Sequence, residues 1–275
     1  MKRKVIYDLG ANNGDDVPYY LMKSDVIVAV EANPVLCKAI SDKFRAEIQA
    51  GKLVLENCVV TAGGESGTID FYIHKSNHVL SQLLTPAPRD LDNFERVALP
   101  SKPIAEIVCS HGDPYYIKID IEHYDAQILR ALFRSNIFPP FISAESHSVE
   151  VFSAFVEQGG YKAFKLVDGI SVSKIYSNRQ IKCDKESSQV KYSFPFHSAG
   201  PFGNDVDGGW MTVDNFFKLL AFEGLGWKDI HATNQEEPDP LVKVQFGDYI
   251  WPYVKSRTMT SIRRIKVQLR SMLRV

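Results

Sequence analysis

Val5-Ile6-Tyr7-Asp8-Leu9-Gly10-Ala11-Asn12-Asn13-Gly14 sets the reading of the whole chain. Residues 4–9 form a short apolar run, which predicts a buried strand. A turn rich in glycine and asparagine follows. Pro18 to Met22 then begins a helix, with Asp15 or Asp16 as its cap. The strand thus ends in Asp8 and passes through Gly10 and Gly14 into a helix, a D-x-G-x-x-x-G turn. Glycines in such a turn let the backbone approach a ligand closely and adopt positive φ.

Working outward, Val26 to Val30 is apolar throughout, as expected of a strand buried on both faces of a parallel sheet. Asn33-Pro34 turns the chain into a helix over 35–49. Strands are expected over 52–60 and 68–74, the second alternating in the manner of a hairpin or sheet edge. Residues 86–103 hold Pro86, Pro88, Pro100 and Pro103 and read as loop around one short helix. Strand and helix then alternate again: strand 115–121, helix 126–135, strand 141–145, helix 149–158 stopped by Gly159-Gly160, and strand 161–167. This alternation implies a Rossmann-like α/β fold with a doubly wound, mostly parallel sheet and a C-terminal appendage. Beyond residue 176 the pattern loosens into a Gly-rich polar loop with aromatics over 197–210 and a helix over 212–223 capped by Thr212. The expected organisation is a core over 1–176, an appended lid or substrate region over 177–255, and a basic amphipathic C-terminal helix over 256–275.

In a doubly wound sheet, ligands bind beyond the carboxyl ends of the strands, where the Gly10 turn sits. Glu31 closes the second strand, 17 residues after Gly14, and a carboxylate there can accept both hydroxyls of a ribose. A dinucleotide fingerprint, G-x-G-x-x-G, is absent, because Asn12 stands two residues after Gly10. Asp15 and Asp16 would also repel a diphosphate at the helix start, yet they are harmless beside a sulfonium or an ammonium group. No G-K-[ST] follows to make a P-loop. The combination favours S-adenosylmethionine (SAM), with Asp8, Gly10, Asn12, Gly14, Glu31 and Ala32 as the expected cofactor contacts. A NAD-dependent oxidoreductase and a non-catalytic glycan-binding protein of the same fold stand as alternatives.

Three segments carry a resemblance: Asp8-Leu9-Gly10-Ala11-Asn12-Asn13-Gly14, Val30-Glu31-Ala32-Asn33-Pro34, and Ile117-Lys118-Ile119-Asp120-Ile121-Glu122. With Ser143-Ala144-Glu145-Ser146-His147 and Ser81, they resemble the FkbM-type methyltransferases over roughly residues 4–170. The resemblance implies a class I methyltransferase fold, O-methyl transfer to sugar or natural-product hydroxyls, and cofactor contacts from Asp8, Gly10 and Glu31. One position departs from it: the family usually has glycine after the acid at 122, and this chain has His123.

Methyl transfer from a sulfonium is an in-line displacement, so aligning acceptor and methyl carbon matters most. For an alcohol acceptor, removal of the proton adds to that. Asp120 and Glu145 end neighbouring strands and should meet at one rim, with Glu122 and His147 beside them. His147 is the candidate base, since an imidazole titrates near neutral pH, and Asp120 and Glu122 are the other candidate catalytic groups. Asp120, Glu122, Glu145 and His147 also offer three carboxylates and one imidazole, an oxygen-rich set that suits Mg²⁺ or Mn²⁺, with Asp120 and Glu145 as the first candidates. His123, Glu145, His197 and Trp210 are candidate acceptor contacts, the tryptophan as a ring for sugar to stack on.

Composition is that of an ordinary globular domain, 45% apolar and 24% charged. No apolar run is long enough to span a membrane. Cys37, Cys58, Cys109 and Cys183 lie far apart, which argues against a zinc cluster or disulfide framework and for a cytoplasmic protein with reduced thiols. Residues 255–275 carry seven basic side chains and no acid; the rest holds 25 basic and 33 acidic residues. An acidic body argues against nucleic acid as partner. Ile262, Ile265, Leu269, Met272 and Leu273 follow helical spacing, so the tail can form an amphipathic helix. Such a helix would lie on the inner face of a membrane or pack on its own domain or a second copy of the chain.

Overall fold

The computed structural model describes residues 3–64, 66–184 and 188–244; the helix expected over 256–275 lies outside them. The first half opens with β1 (Val5–Leu9), α1 (Val17–Lys23), β2 (Val26–Val30), α2 (Pro34–Lys43), α3 (Arg45–Gln49) and β3 (Leu53–Glu56). Next come β4 (Val59–Thr61), β5 (Gly67–His74), β6 (Phe94–Pro103) and α4 (Ile104–His111). The second half runs β7 (Pro114–Ile119), α5 (Asp125–Arg134), β8 (Phe141–Ser146), α6 (Val149–Ser153) and β9 (Ala163–Asp168). Finally come α7 (Val172–Ile175), β10 (Arg179–Lys182), β11 (Gln189–Tyr192), α8 (Val213–Glu223) and β12 (Gly226–Thr233). No helix among the described residues is long and apolar enough to cross a membrane.

Seven strands form the central sheet in the order β3-β2-β1-β7-β8-β12-β9. The pairs from β3 to β8 are parallel, and β12 runs antiparallel to both β8 and β9. β1 leads to β2 on one side and β7 pairs on the other, so the strand order reverses at β1, and the crevice above β1 and β7 is the binding position of such a sheet. The faces follow the pleat. Val5, Tyr7, Leu9, Ile117 and Ile119 pack with α4, α5, α6 and α8 on one side. Ile6, Ile27 and Tyr116 pack with Tyr19 and Tyr20 of α1 and Ile40 of α2 on the other. Asp8 and Lys118 are direct partners across the β1–β7 ladder and share the α1 face.

The structure corrects several local expectations. The span 52–60 divides into β3 in the central sheet and β4 in a separate three-stranded sheet of order β4-β6-β5. Residues 94–103, expected as loop, are the ten-residue β6, paired with β5 from Phe94 to Ser101. Its Pro100 is tolerated because β4 pairs only from Ser101 onward, which leaves that stretch an edge. The expected helix over 35–49 breaks at Phe44 into α2 and α3. Asp16 precedes α1 without a side-chain cap bond; its carboxylate instead accepts from the Ser198 hydroxyl and the Ala199 amide.

β12 is the largest correction. Residues 226–233 fall in the region expected as an appendage, yet they fill the gap between β8 and β9. Ile230 and Ala232 enter the core on one face, while Asp229, His231 and Thr233 are buried on the other. That polar face is what disguised the strand. Phe194, Phe202, Val206 and Trp210 likewise pack into the core on the α1 side. Ile230 is fully buried, so Ile230→Ala is expected to cost about 2–5 kcal/mol in urea unfolding, with one transition for the whole domain. A loss below about 0.5 kcal/mol, the range of surface substitutions, would mean that β12 lies outside the cooperative core.

Candidate functional site

The carboxyl ends of β1, β2 and β7 are held together by their own backbone. The Gly10 and Ala11 amides donate to the Val30 carbonyl at 3.0 and 3.1 Å, and the Asp120 amide donates to the Leu9 carbonyl at 3.0 Å. Gly10 has φ +83°, and a Cβ on it would lie 1.9 Å from the Asp120 carbonyl oxygen. No other residue fits there. Gly14, at φ +73°, would bring a Cβ to 2.9 Å from the Phe44 ring.

Beneath this turn lies Lys118, 4% exposed. Its ammonium donates to the Gly10 carbonyl at 3.1 Å and stands 3.3 Å from Asp8 Oδ1 and 3.2 Å from Asp120 Oδ2. Burial alone would lower its pKa, but Asp120 and Asp8 together raise it well above the ordinary value. Asp8 is 1% exposed, and its carboxylate meets Lys118 through charge, off the geometry of a hydrogen bond. Burial pushes the Asp8 carboxyl up against the opposing pull of Lys118.

Above the turn is a cavity of about 540 Å³, a usual size for a small-molecule site. Gly10, Asn12, Glu31 and Ala32 line it. Glu31 Oε2 accepts from the Asn12 amide and Oε1 from the Asn33 amide, each at 2.8 Å. These bonds fix the carboxylate and leave each oxygen a further lone pair. Burial outweighs the two amides and pushes the Glu31 carboxyl up to about 7. Asp8 and Gly14, expected to touch the cofactor, are not among the lining residues; Asp8 braces Lys118 from below and Gly14 admits the Phe44 ring.

Asp120, Glu122, His123, Glu145, His147 and His197 line the cavity as well. Asp120 is held by Lys118. His147 Nε2 is 2.7 Å from Glu145 Oε2 and 3.5 Å from Glu122 Oε2, but neither contact has the alignment of a ring hydrogen bond. Crowding acts on the two glutamates. Burial and Asp120 push Glu122 up to about 7. Burial, Asp120 and Glu122 push Glu145 far above the carboxylate range. Glu122 and His123 both have positive φ, 30° and 65°. His123 therefore adopts the left-handed conformation that glycine takes readily, and its ring lies 4.5 Å from that of His147.

Trp210, expected against the acceptor, is 6% exposed and sits in the core. Its indole donates to Asn204 Oδ1 at 3.1 Å, and Lys165 Nζ lies 4.6 Å above its ring. Trp227 lines the cavity instead, stacked on His197 at 24° and 6.1 Å. It lies flat on Gly169, where a Cβ would fall 2.4 Å from the indole nitrogen. Trp227 and Lys118 escaped the sequence reading. The alternation of β12 could have pointed to Trp227, and an ammonium between two strand-end acids could have pointed to Lys118.

Among solved structures the chain is similar to an FkbM methyltransferase from Methylobacillus flagellatus KT, at 15% identity and a TM-score of 0.41, covering 60% of this chain and 39% of that one. The chain thus spans about two fifths of that relative. It is also similar to a precorrin 8W decarboxylase from Methanobacterium thermoautotrophicum, at 11% identity and a TM-score of 0.35, covering 70% of this chain and 78% of that one. No curated protein matches the chain. The family model of the methyltransferase FkbM domain matches residues 8–164. That span is more than half of the chain and contains the Gly10 turn, Glu31, Lys118 and the acid–histidine rim, so the chain belongs to the FkbM methyltransferase family.

Proposed function

We propose that the chain is a SAM-dependent O-methyltransferase acting on a hydroxyl of a sugar, glycan or natural product. The observation that carries this reading is one continuous cavity at the sheet's switch point. A fixed carboxylate, Glu31, stands at one end, and an acid–imidazole rim, Glu122 and His147, at the other. Ribose hydroxyls can donate to the spare lone pairs of Glu31. Bound there, SAM would supply an electrophilic methyl carbon to an acceptor oxygen at the rim and would leave as the neutral thioether S-adenosylhomocysteine, while the acceptor's proton would pass to Glu122 or His147. The many acids of the site favour a cationic sulfonium over the diphosphate of a nicotinamide dinucleotide.

Trp227 and His197 give the acceptor end a stacked aromatic wall facing carboxylates. That combination suits a sugar, whose C–H face lies on a ring while its hydroxyls bond to acids. Asp120 is held by Lys118, which leaves Glu122 and His147 to deal with the acceptor's proton.

Calorimetric titration with SAM, S-adenosylhomocysteine and NAD tests the cofactor. Micromolar binding of the first two and none of NAD is expected; NAD alone would overturn the reading. Glu31→Ala should weaken SAM at least roughly tenfold, from the loss of charge-assisted hydrogen bonds, and unchanged affinity would remove the ribose from Glu31. His147→Ala should slow transfer by roughly 10²–10⁴-fold at unaltered SAM affinity; full activity would remove its role.

A further inference from the structure

Glu122, His123 and His147 present one carboxylate oxygen and two imidazole nitrogens within 4.8 Å of one another. Glu122 Oε2 is 3.5 Å from His147 Nε2 and 3.9 Å from His123 Nε2. A tetrahedral ion with bonds of about 2.0–2.2 Å has ligand–ligand edges of roughly 3.3–3.6 Å, so two of the three edges are met to within a few tenths of an ångström. The third closes by rotation of the His123 ring, whose side chain is 55% exposed. We propose that these three residues bind one first-row divalent transition cation of the Zn²⁺ or Co²⁺ class at the acceptor end of the cavity.

Three independent features support the site. Two imidazoles and a carboxylate are the donor set of a zinc-class ion and not of Mg²⁺, which takes oxygens in a near-octahedral shell. Of the metal candidates expected from sequence, Glu122 and His147 belong to this set, and Asp120 is paired with Lys118. Second, Glu145 Oε2 lies 2.7 Å from His147 Nε2 off the axis of a ring hydrogen bond, so no hydrogen bond occupies this nitrogen. Third, the backbone is strained at the ligands themselves. A non-glycine residue at positive φ costs roughly 1 kcal/mol, and the two neighbouring ligands Glu122 and His123 both stand there, at φ 30° and 65°. A side chain held there against that cost has work that glycine cannot do.

The catalytic consequence rests on the methyl-transfer reading. Glu122, His123 and His147 would hold the ion, and the ion would supply a lowered pKa to an acceptor hydroxyl placed beside it. His147 would then assist loss of the acceptor's proton through the ion it holds, in place of taking that proton itself.

The test uses the full-length, untagged chain, freed of metal and titrated with Zn²⁺ and Co²⁺ against a chromophoric chelator. One ion per chain is expected, with visible Co²⁺ bands of nitrogen and oxygen ligation, and millimolar Mg²⁺ should not compete. His147→Ala and His123→Gly should each weaken binding by roughly a hundredfold or more, since even residues behind the ligands of a metal site are worth 10–100-fold. His123→Gly also controls for folding: glycine suits φ 65°, so metal-free thermal stability should match or exceed that of the parent chain. Absence of micromolar binding, or binding unchanged in His123→Gly, overturns the site. SAM titration of the same samples separates the two readings. Ion lost with SAM retained in the variants supports the metal site, whereas failure of SAM to bind a chain that holds its ion removes only the methyltransferase reading.

Discussion

The contact on which the site depends is the one between the Gly10 turn and the end of β7. The Asp120 carbonyl occupies the space where any other residue at position 10 would carry its Cβ. The buried Lys118 ammonium locks that approach by bonding to the Gly10 carbonyl and pairing with the acids that close both strands. A buried ammonium is tolerable only with such partners, because removing charge from water without them is very costly. The arrangement sets the floor of the cavity, the direction of the turn and thereby the place of the Asn12 amide that holds Glu31. Strand pairing alone would leave the turn free to move; the lysine makes it part of the sheet.

That floor also shapes the electrostatics above it. Lys118 balances Asp8 and Asp120, and among the described residues no comparable lysine or arginine pairs with Glu122 or Glu145. Their raised affinity for protons expresses this imbalance. The same field that disfavours a second carboxylate charge favours any cation that enters, whether a sulfonium methyl donor or a metal ion.

The parts of the fold that the sequence reveals are those where local pattern and tertiary context agree. The apolar runs of β1, β2, β7 and β8 could only be interior strands, and the glycines at 10 and 14 marked the turn between them. Glu31 was legible because it ends such a run. The misses share one physical cause. β6 carries prolines, and β12 carries Lys228, Asp229 and His231, so both read as polar chain. Neighbouring strands and the 194–210 segment bury the polar face of β12, which only the assembled sheet can show. Trp210 and Trp227 illustrate the same limit. Both lie near glycines and polar residues in sequence, yet one fills the core beside Lys165 and the other faces the cavity from Gly169.

His123 separates what the family shares from what this chain does with it. The backbone at 122–123 keeps the left-handed turn for which glycine is the natural residue. The turn thus places a side chain with a lone pair 4.5 Å from a second imidazole. A fold of this class fixes the sheet order, but the chemistry at the rim belongs to the individual site, and in this chain that chemistry turns on the positions of His123 and His147 beside Glu122.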